Sequence, residues 1–133
     1  MTGIFVDTVA LLALWNESDQ WHDAAEAAFL RAYQQNQPLF STSYVLLECG
    51  NAIARKPYRN VLVDFREKLV KSNHLIEPLP EDLEKAWSAF ARHESGNAGI
   101  VDLISFEVMR RLRAVDALTN DEHFRISGFK TLM

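Results

Sequence analysis

The chain has 133 residues, 48% of them hydrophobic and 24% charged, which is the size and balance of one soluble domain with a real core. Its 14 basic and 18 acidic residues leave a formal charge of −4, without the basic surface that usually announces nucleic-acid binding, although an acidic metal site would itself contribute to that sign. The single cysteine, Cys49, excludes an internal disulfide and fits a reducing compartment; set in an apolar run, it reads as a small buried hydrophobe rather than a nucleophile.

Residues 3–7 are short, apolar and β-branched, as in a buried strand. Asp7 interrupts this stretch and no cationic segment precedes it, so neither a signal peptide nor a membrane span is expected, and the expected location is the cytoplasm. Thr8 to Trp15 predicts a short helix. Asp19 predicts the N-cap of a longer one through about Tyr33, with Ala24, Ala25, Ala28, Phe29 and Ala32 at helical spacing. Gln37-Pro38 breaks it before a strand at Leu39–Ser41, and Thr42 or Ser43 caps the next helix, which runs to about Arg55. In that helix Tyr44, Val45, Leu47, Glu48, Ala52 and Ile53 form the expected inward arc. Lys56-Pro57 ends it, and residues 58–72 are amphipathic. A strand is predicted at residues 75–79, then a helix led by Pro80 with Leu83, Ala86, Trp87 and Phe90 inward, and a loop over residues 95–99. Ile100–Leu112 reads as helix, Ala114–Thr119 as strand, Glu122–Ile126 as a helical turn and Phe129–Leu132 as a last strand. No repeat, low-complexity tract or linker divides residues 1–133, which read as one domain.

Strands alternating with helices predict an α/β fold with a central parallel sheet and helices on both faces. Ligands in such sheets sit outside the carboxyl ends of the strands. Asp7 and Asp121 fall just after predicted strands, Asp102 at a helix start, and Glu48 one to two turns into its helix. All four therefore converge on one rim. Each has an ordinary alternative: Asp7 as a helix cap, Glu48 as an exposed helix residue, Asp102 as a carboxylate complementing a helix dipole, and Asp121 as a cap, with Thr119 and Glu122 matching a capping box. Several carboxylates beside apolar runs are costly unless a partner compensates them, and the natural partner is a hard divalent cation bound through oxygen.

Thr8, Ser105 and Thr119 place hydroxyls near these acids, as donors that orient carboxylates or, alternatively, as back-bonding and capping groups. Asn51 and Arg55 follow Glu48 on the same side of its helix and are candidate substrate contacts, with solvated surface charge the alternative for Arg55. The four histidines lack paired metal-ligand spacing, and His123, nearest the acids, reads as a helix-surface residue. There is no phosphate-binding glycine loop, no second aspartate near Asp7 of the kind a haloacid-dehalogenase-type phosphatase needs, and no Ser, His and Asp arrangement that stands out for acyl transfer.

Taken in order, Phe-Val-Asp7-Thr, Asp19-Gln-Trp-His22, Ser-Tyr-Val-Leu-Leu-Glu48, Val-Asp102-Leu-Ile-Ser105-Phe and Ala-Leu-Thr119-Asn-Asp121-Glu-His-Phe124 resemble the PIN-domain family of small metal-dependent ribonucleases, especially VapC-type toxins of bacterial toxin–antitoxin pairs. The resemblance spans essentially the whole chain; its specificity lies in the ordered set rather than in any one piece. It implies a three-layer α/β/α sandwich, Mg²⁺ or Mn²⁺ at Asp7, Glu48, Asp102 and Asp121, and hydrolysis of RNA phosphodiester bonds. It also implies a homodimer and a small antitoxin whose basic tail reaches the acidic site. Val101 stands where the family often has Thr or Ser, and Asn120 where an apolar or aromatic residue is frequent; neither departure removes a carboxylate. Two other readings share the scaffold: a catalytically weak module that binds a protein partner, and a DNA-directed nuclease.

Overall fold

In the computed structural model, which describes residues 3–133, the apolar run Ile4–Val6 forms β1, buried at every position. Met1 and Thr2, included in the one-domain reading, lie outside the described residues. Helices α1 (Thr8–Trp15) and α2 (His22–Gln34) lead to β2 (Leu39–Thr42), and α3 (Ser43–Ile53) and α4 (Arg59–Lys71) lead to β3 (Leu75–Ile76). Then come α5 (Pro80–Ala91), α6 (Ile100–Arg111), β4 (Asp116–Leu118), α7 (Glu122–Ile126) and β5 (Lys130–Thr131).

The strands form one sheet in the order β3-β2-β1-β4-β5, and every described pairing is parallel. Parallel strands must be joined by crossovers, and the helical ones pack back on the sheet as layers. The chain moves from β1 outward to β2 and β3 with α1 to α4 packed against one another, then returns past β1 with α5, α6 and α7 packed together. The strand order reverses between β1 and β4, and at that point a parallel sheet opens a crevice beyond its carboxyl ends. This is the α/β sandwich expected.

The core beneath that crevice is aromatic. Phe5 of β1 meets Phe40 of β2 edge-on at 5.6 Å, and Phe124 of α7 packs against Phe106 of α6 at 4.8 Å and Phe5 at 6.0 Å. Fully buried aromatic rings lose the most apolar surface to water of any side chains here, so these contacts fix α6 and α7 against the sheet.

Three local expectations are corrected. Asp19 does not cap α2: its carboxylate accepts from the Trp21 N–H at 2.7 Å in a local turn, and the helix begins at His22. In α3 the buried residues are Val45, Leu46, Cys49 and Ile53, so Leu47, Glu48 and Ala52 face outward. Trp87 and Phe90 of α5 pair edge-on at 5.8 Å but stay about half exposed, because the small residues Ala86 and Ala89 take the inward face against α6. Thr42 does cap α3, its Oγ1 accepting from the Val45 N–H at 3.2 Å. No described helix is long and apolar enough to cross a membrane.

Candidate active site

Asp7 leaves the end of β1 directly into the crevice and is only 2% exposed. Its backbone N–H donates to Leu118 O at 3.1 Å, tying the ends of β1 and β4 together. It occupies the N-cap position of α1 but makes no side-chain cap hydrogen bond. Instead its Oδ2 accepts from the Thr119 hydroxyl at 2.9 Å. Thr119 Oγ1 accepts in turn from the Asp121 N–H at 3.0 Å, so one hydroxyl sets the position of two acids. Across the cleft Thr8 donates to Glu48 Oε1 at 2.7 Å, joining the first turn of α1 to the second turn of α3. Asp102 lies in the first turn of α6, whose start is released by Gly99 after the loop.

These four acids, from four separate elements, line a single cleft of about 600 Å³ together with Thr8, Val9, Asn51 and Ala52. Burial pushes the Asp7 carboxyl up to about 7, with the charge of Asp102 adding to it. Burial likewise raises Asp102 to about 6, helped by Asp121 and Glu48. Among the described residues no lysine or arginine forms an ion pair with any of the four. A concentration of carboxylate oxygen, partly removed from water and mutually repelling, suits a hard divalent cation. The donor set therefore fits Mg²⁺ or Mn²⁺. Candidate ligand atoms of Asp102, Asp121 and His123 lie within 4.8 Å of one another.

The neighbouring groups divide. Thr8 and Thr119 hydrogen-bond carboxylates, and Asn51 lines the cleft. Ser105 does not act as a donor to an acid: it is fully buried and its hydroxyl back-bonds to Val101 O at 2.9 Å, one turn earlier in its own helix. Arg55 is exposed beyond the end of α3 and does not line the cleft. Asp121, not Thr119, caps α7, with Oδ1 accepting from the His123 N–H at 2.9 Å. His123 is not a free surface residue, for its Nδ1 sits 2.8 Å from the same oxygen. Sequence spacing gave no sign of this pairing, because contact between residues two apart at a helix cap has no periodic signature. Cys49 is buried beneath the site with its thiol pushed up to about 12, chiefly by burial and next by the charge of Asp7, so it is inert as a nucleophile.

Known proteins resemble the chain in sequence and in fold. Over 128 residues, 95% of each chain, the protein is 31% identical to the "23S rRNA-specific endonuclease VapC20" of Mycobacterium tuberculosis. The crystal structure of that VapC20, described as a sarcin-ricin loop cleaving toxin, superposes with a TM-score of 0.77 at 27% identity, covering 96% of both chains. Two more distant structures share the fold alone. FitAcB from Neisseria gonorrhoeae has a TM-score of 0.62 at 10% identity, covering 98% of this chain and 96% of its own. VapBC2 from Rickettsia felis, bound to a promoter DNA fragment, has 0.62 at 15%, covering 96% of each. The PIN-domain family model matches residues 4–130, from the first residue of β1 to the first of β5, and the chain belongs to that family.

Proposed function

We propose that this protein is a divalent-metal-dependent endoribonuclease and the toxin of a toxin–antitoxin pair. The observation that carries the reading is the convergence of Asp7, Glu48, Asp102 and Asp121 on one cleft, where among the described residues no lysine or arginine pairs with them. The VapC20 relative, matched over nearly its full length and named as an RNA endonuclease, supports RNA as the substrate.

Asp7 and Asp102 are our proposed direct ligands, since they are the acids whose charge is most disfavoured without a cation. Glu48 and Asp121 complete the set, directly or through water. Bound Mg²⁺ or Mn²⁺ supplies a water of lowered pKa and offsets charge on the scissile phosphate. The chain's part is to hold its oxygens in place: Thr119 orients Asp7, Thr8 orients Glu48, and the bond between Asp7 N–H and Leu118 O keeps both strand ends in register. Asn51, on the wall of the cleft, is placed to hydrogen-bond the RNA backbone.

An apolar groove of about 410 Å³ between α3 and α4, lined by Leu46, Leu47, Leu62 and Val63, meets the cleft at Asn51. That continuity with the cleft supports the expected antitoxin with a basic tail; we also expect a homodimer. The test is cleavage of RNA, including a 23S rRNA stem-loop, and of single-stranded DNA of equal length, with Mg²⁺, Mn²⁺ or EDTA. RNA cut only with metal is the expected result. DNA cut in preference, or RNA cut equally in EDTA, rejects the proposal.

A further inference from the structure

We infer that His123 is a positioning residue for the cation site, locking the Asp121 carboxylate in one orientation beside Asp102. The inference rests on the metal-dependent reading above and adds to it a residue outside the four acids.

Oδ1 of Asp121 is engaged twice by the same residue, from the His123 backbone N–H at 2.9 Å and from the ring Nδ1 at 2.8 Å. A carboxylate has no proton to give, so Nδ1 must carry it, which fixes the ring tautomer. With Oδ1 held by two donors, rotation of the carboxylate about its Cβ–Cγ bond breaks both bonds, and Oδ2 keeps a constant direction. His123 is itself held, because the next residue, Phe124, is fully buried against Phe106 and Phe5. The ring is therefore held beside Asp121, half-buried, with a defined nitrogen facing the acid.

The candidate ligand atoms of Asp102, Asp121 and His123 lie close enough for a rival role, direct ligation through nitrogen. With Nδ1 committed to Asp121, ligation would have to use Nε2, and against it stands the preference of hard cations of the Mg²⁺ class for oxygen over imidazole. Groups that orient a metal ligand through its second oxygen typically govern affinity by about 10–100-fold.

The experiment measures Mn²⁺ binding to the full chain by electron paramagnetic resonance, with no substrate and no turnover. His123→Ala is expected to weaken Mn²⁺ binding by about 10–100-fold. His123→Asn, whose amide N–H reaches the position of Nδ1, should recover most of it, and His123→Gln should not. In an Asp121→Ala background the further change His123→Ala should cost nothing, since the residue acts through Asp121. Electron spin-echo modulation of the wild type should show no coordinated nitrogen. Unchanged affinity in His123→Ala, equal recovery by Gln and Asn, an additive double variant, or a directly bonded nitrogen would each overturn the inference. If His123→Ala fails to fold, the Asn and Gln pair alone decides. Failure of the wild type to bind Mn²⁺ would instead remove the metal-dependent reading, and the inference with it.

Discussion

Thr119 and Asp7 stand 112 positions apart in the chain, and a 2.9 Å hydrogen bond from the threonine hydroxyl to Asp7 Oδ2 joins them in the floor of the cleft. The bond exists because β1 and β4 are neighbours in register, with Val6 opposite Leu118, so the residues that follow each strand emerge side by side. Both groups are buried, and the threonine also receives the Asp121 N–H. Replacing Thr119 with Val keeps the shape and removes both bonds. Thr119→Val should lose about 1–3 kcal/mol of stability and most RNA cleavage, whereas Thr119→Ser should retain both. Urea unfolding of the three proteins checks this; a Val variant as stable and active as the Ser variant would contradict the relay.

Asp7→Asn removes the most buried of the four charges without changing the outline of the site. The variant should be inactive yet at least as stable as the wild type at neutral pH in the absence of metal, because burial disfavours the ionised carboxyl. Circular dichroism melts and cleavage assays on the same preparation measure both. Full RNase activity in purified Asp7→Asn protein rejects the assignment of Asp7.

The raised acids give a defined pH dependence. Asp7 at about 7 and Asp102 at about 6 lie above the ordinary value of 3.8, so the folded, metal-free protein retains protons that the unfolded chain has released. Their contribution to stability is present at low pH and is lost as pH rises from about 4 to about 7. The melting temperature of EDTA-treated wild type, relative to Asp7→Asn, should fall across that window. A difference that stays level would show that burial of Asp7 costs nothing. Saturating Mg²⁺ should reverse the loss at neutral pH, adding about 2.7 kcal/mol when its concentration is a hundred times its dissociation constant.

Much of this was legible in the sequence where one local rule governed. The bounds of α1 and α7 matched because a strand end and a capping residue fixed them, and the acids could be placed at one rim because parallel sheets put strand ends and helix starts on the same side. What was not legible depends on competition between alternative partners, some local and some on a neighbouring element. The turn that Asp19 makes with Trp21 competes with its role as a cap. Trp87 and Phe90 looked inward by hydrophobicity alone, yet close packing of α5 on α6 selects alanine there. Ser105 shares a face with Asp102, but its proton finds a nearer acceptor in its own helix.

One tether away from the cleft should matter for stability and not for chemistry. Arg111 of α6 grips Asp82 of α5 through Nε and Nη2 at 2.8–3.1 Å, and Asp82, whose side chain is 5% exposed, also accepts from the Leu79 N–H at 2.8 Å. Arg111→Met strands a buried carboxylate. Because the arginine is itself 33% exposed, water offsets part of the loss, and the cost should be about 1–3 kcal/mol with metal affinity unchanged. Calorimetric unfolding and Mn²⁺ titration test the two halves; weakened Mn²⁺ binding in a folded variant would show that the α5–α6 pair also sets the site.

Sharing of one cation by the carboxylates of Asp7, Glu48, Asp102 and Asp121 can be seen by anomalous scattering from crystals soaked in millimolar Mn²⁺. A manganese peak in the cleft, bonded to oxygens of Asp7 and Asp102, is the expected result. A peak elsewhere with the cleft empty, or none at all, would contradict it.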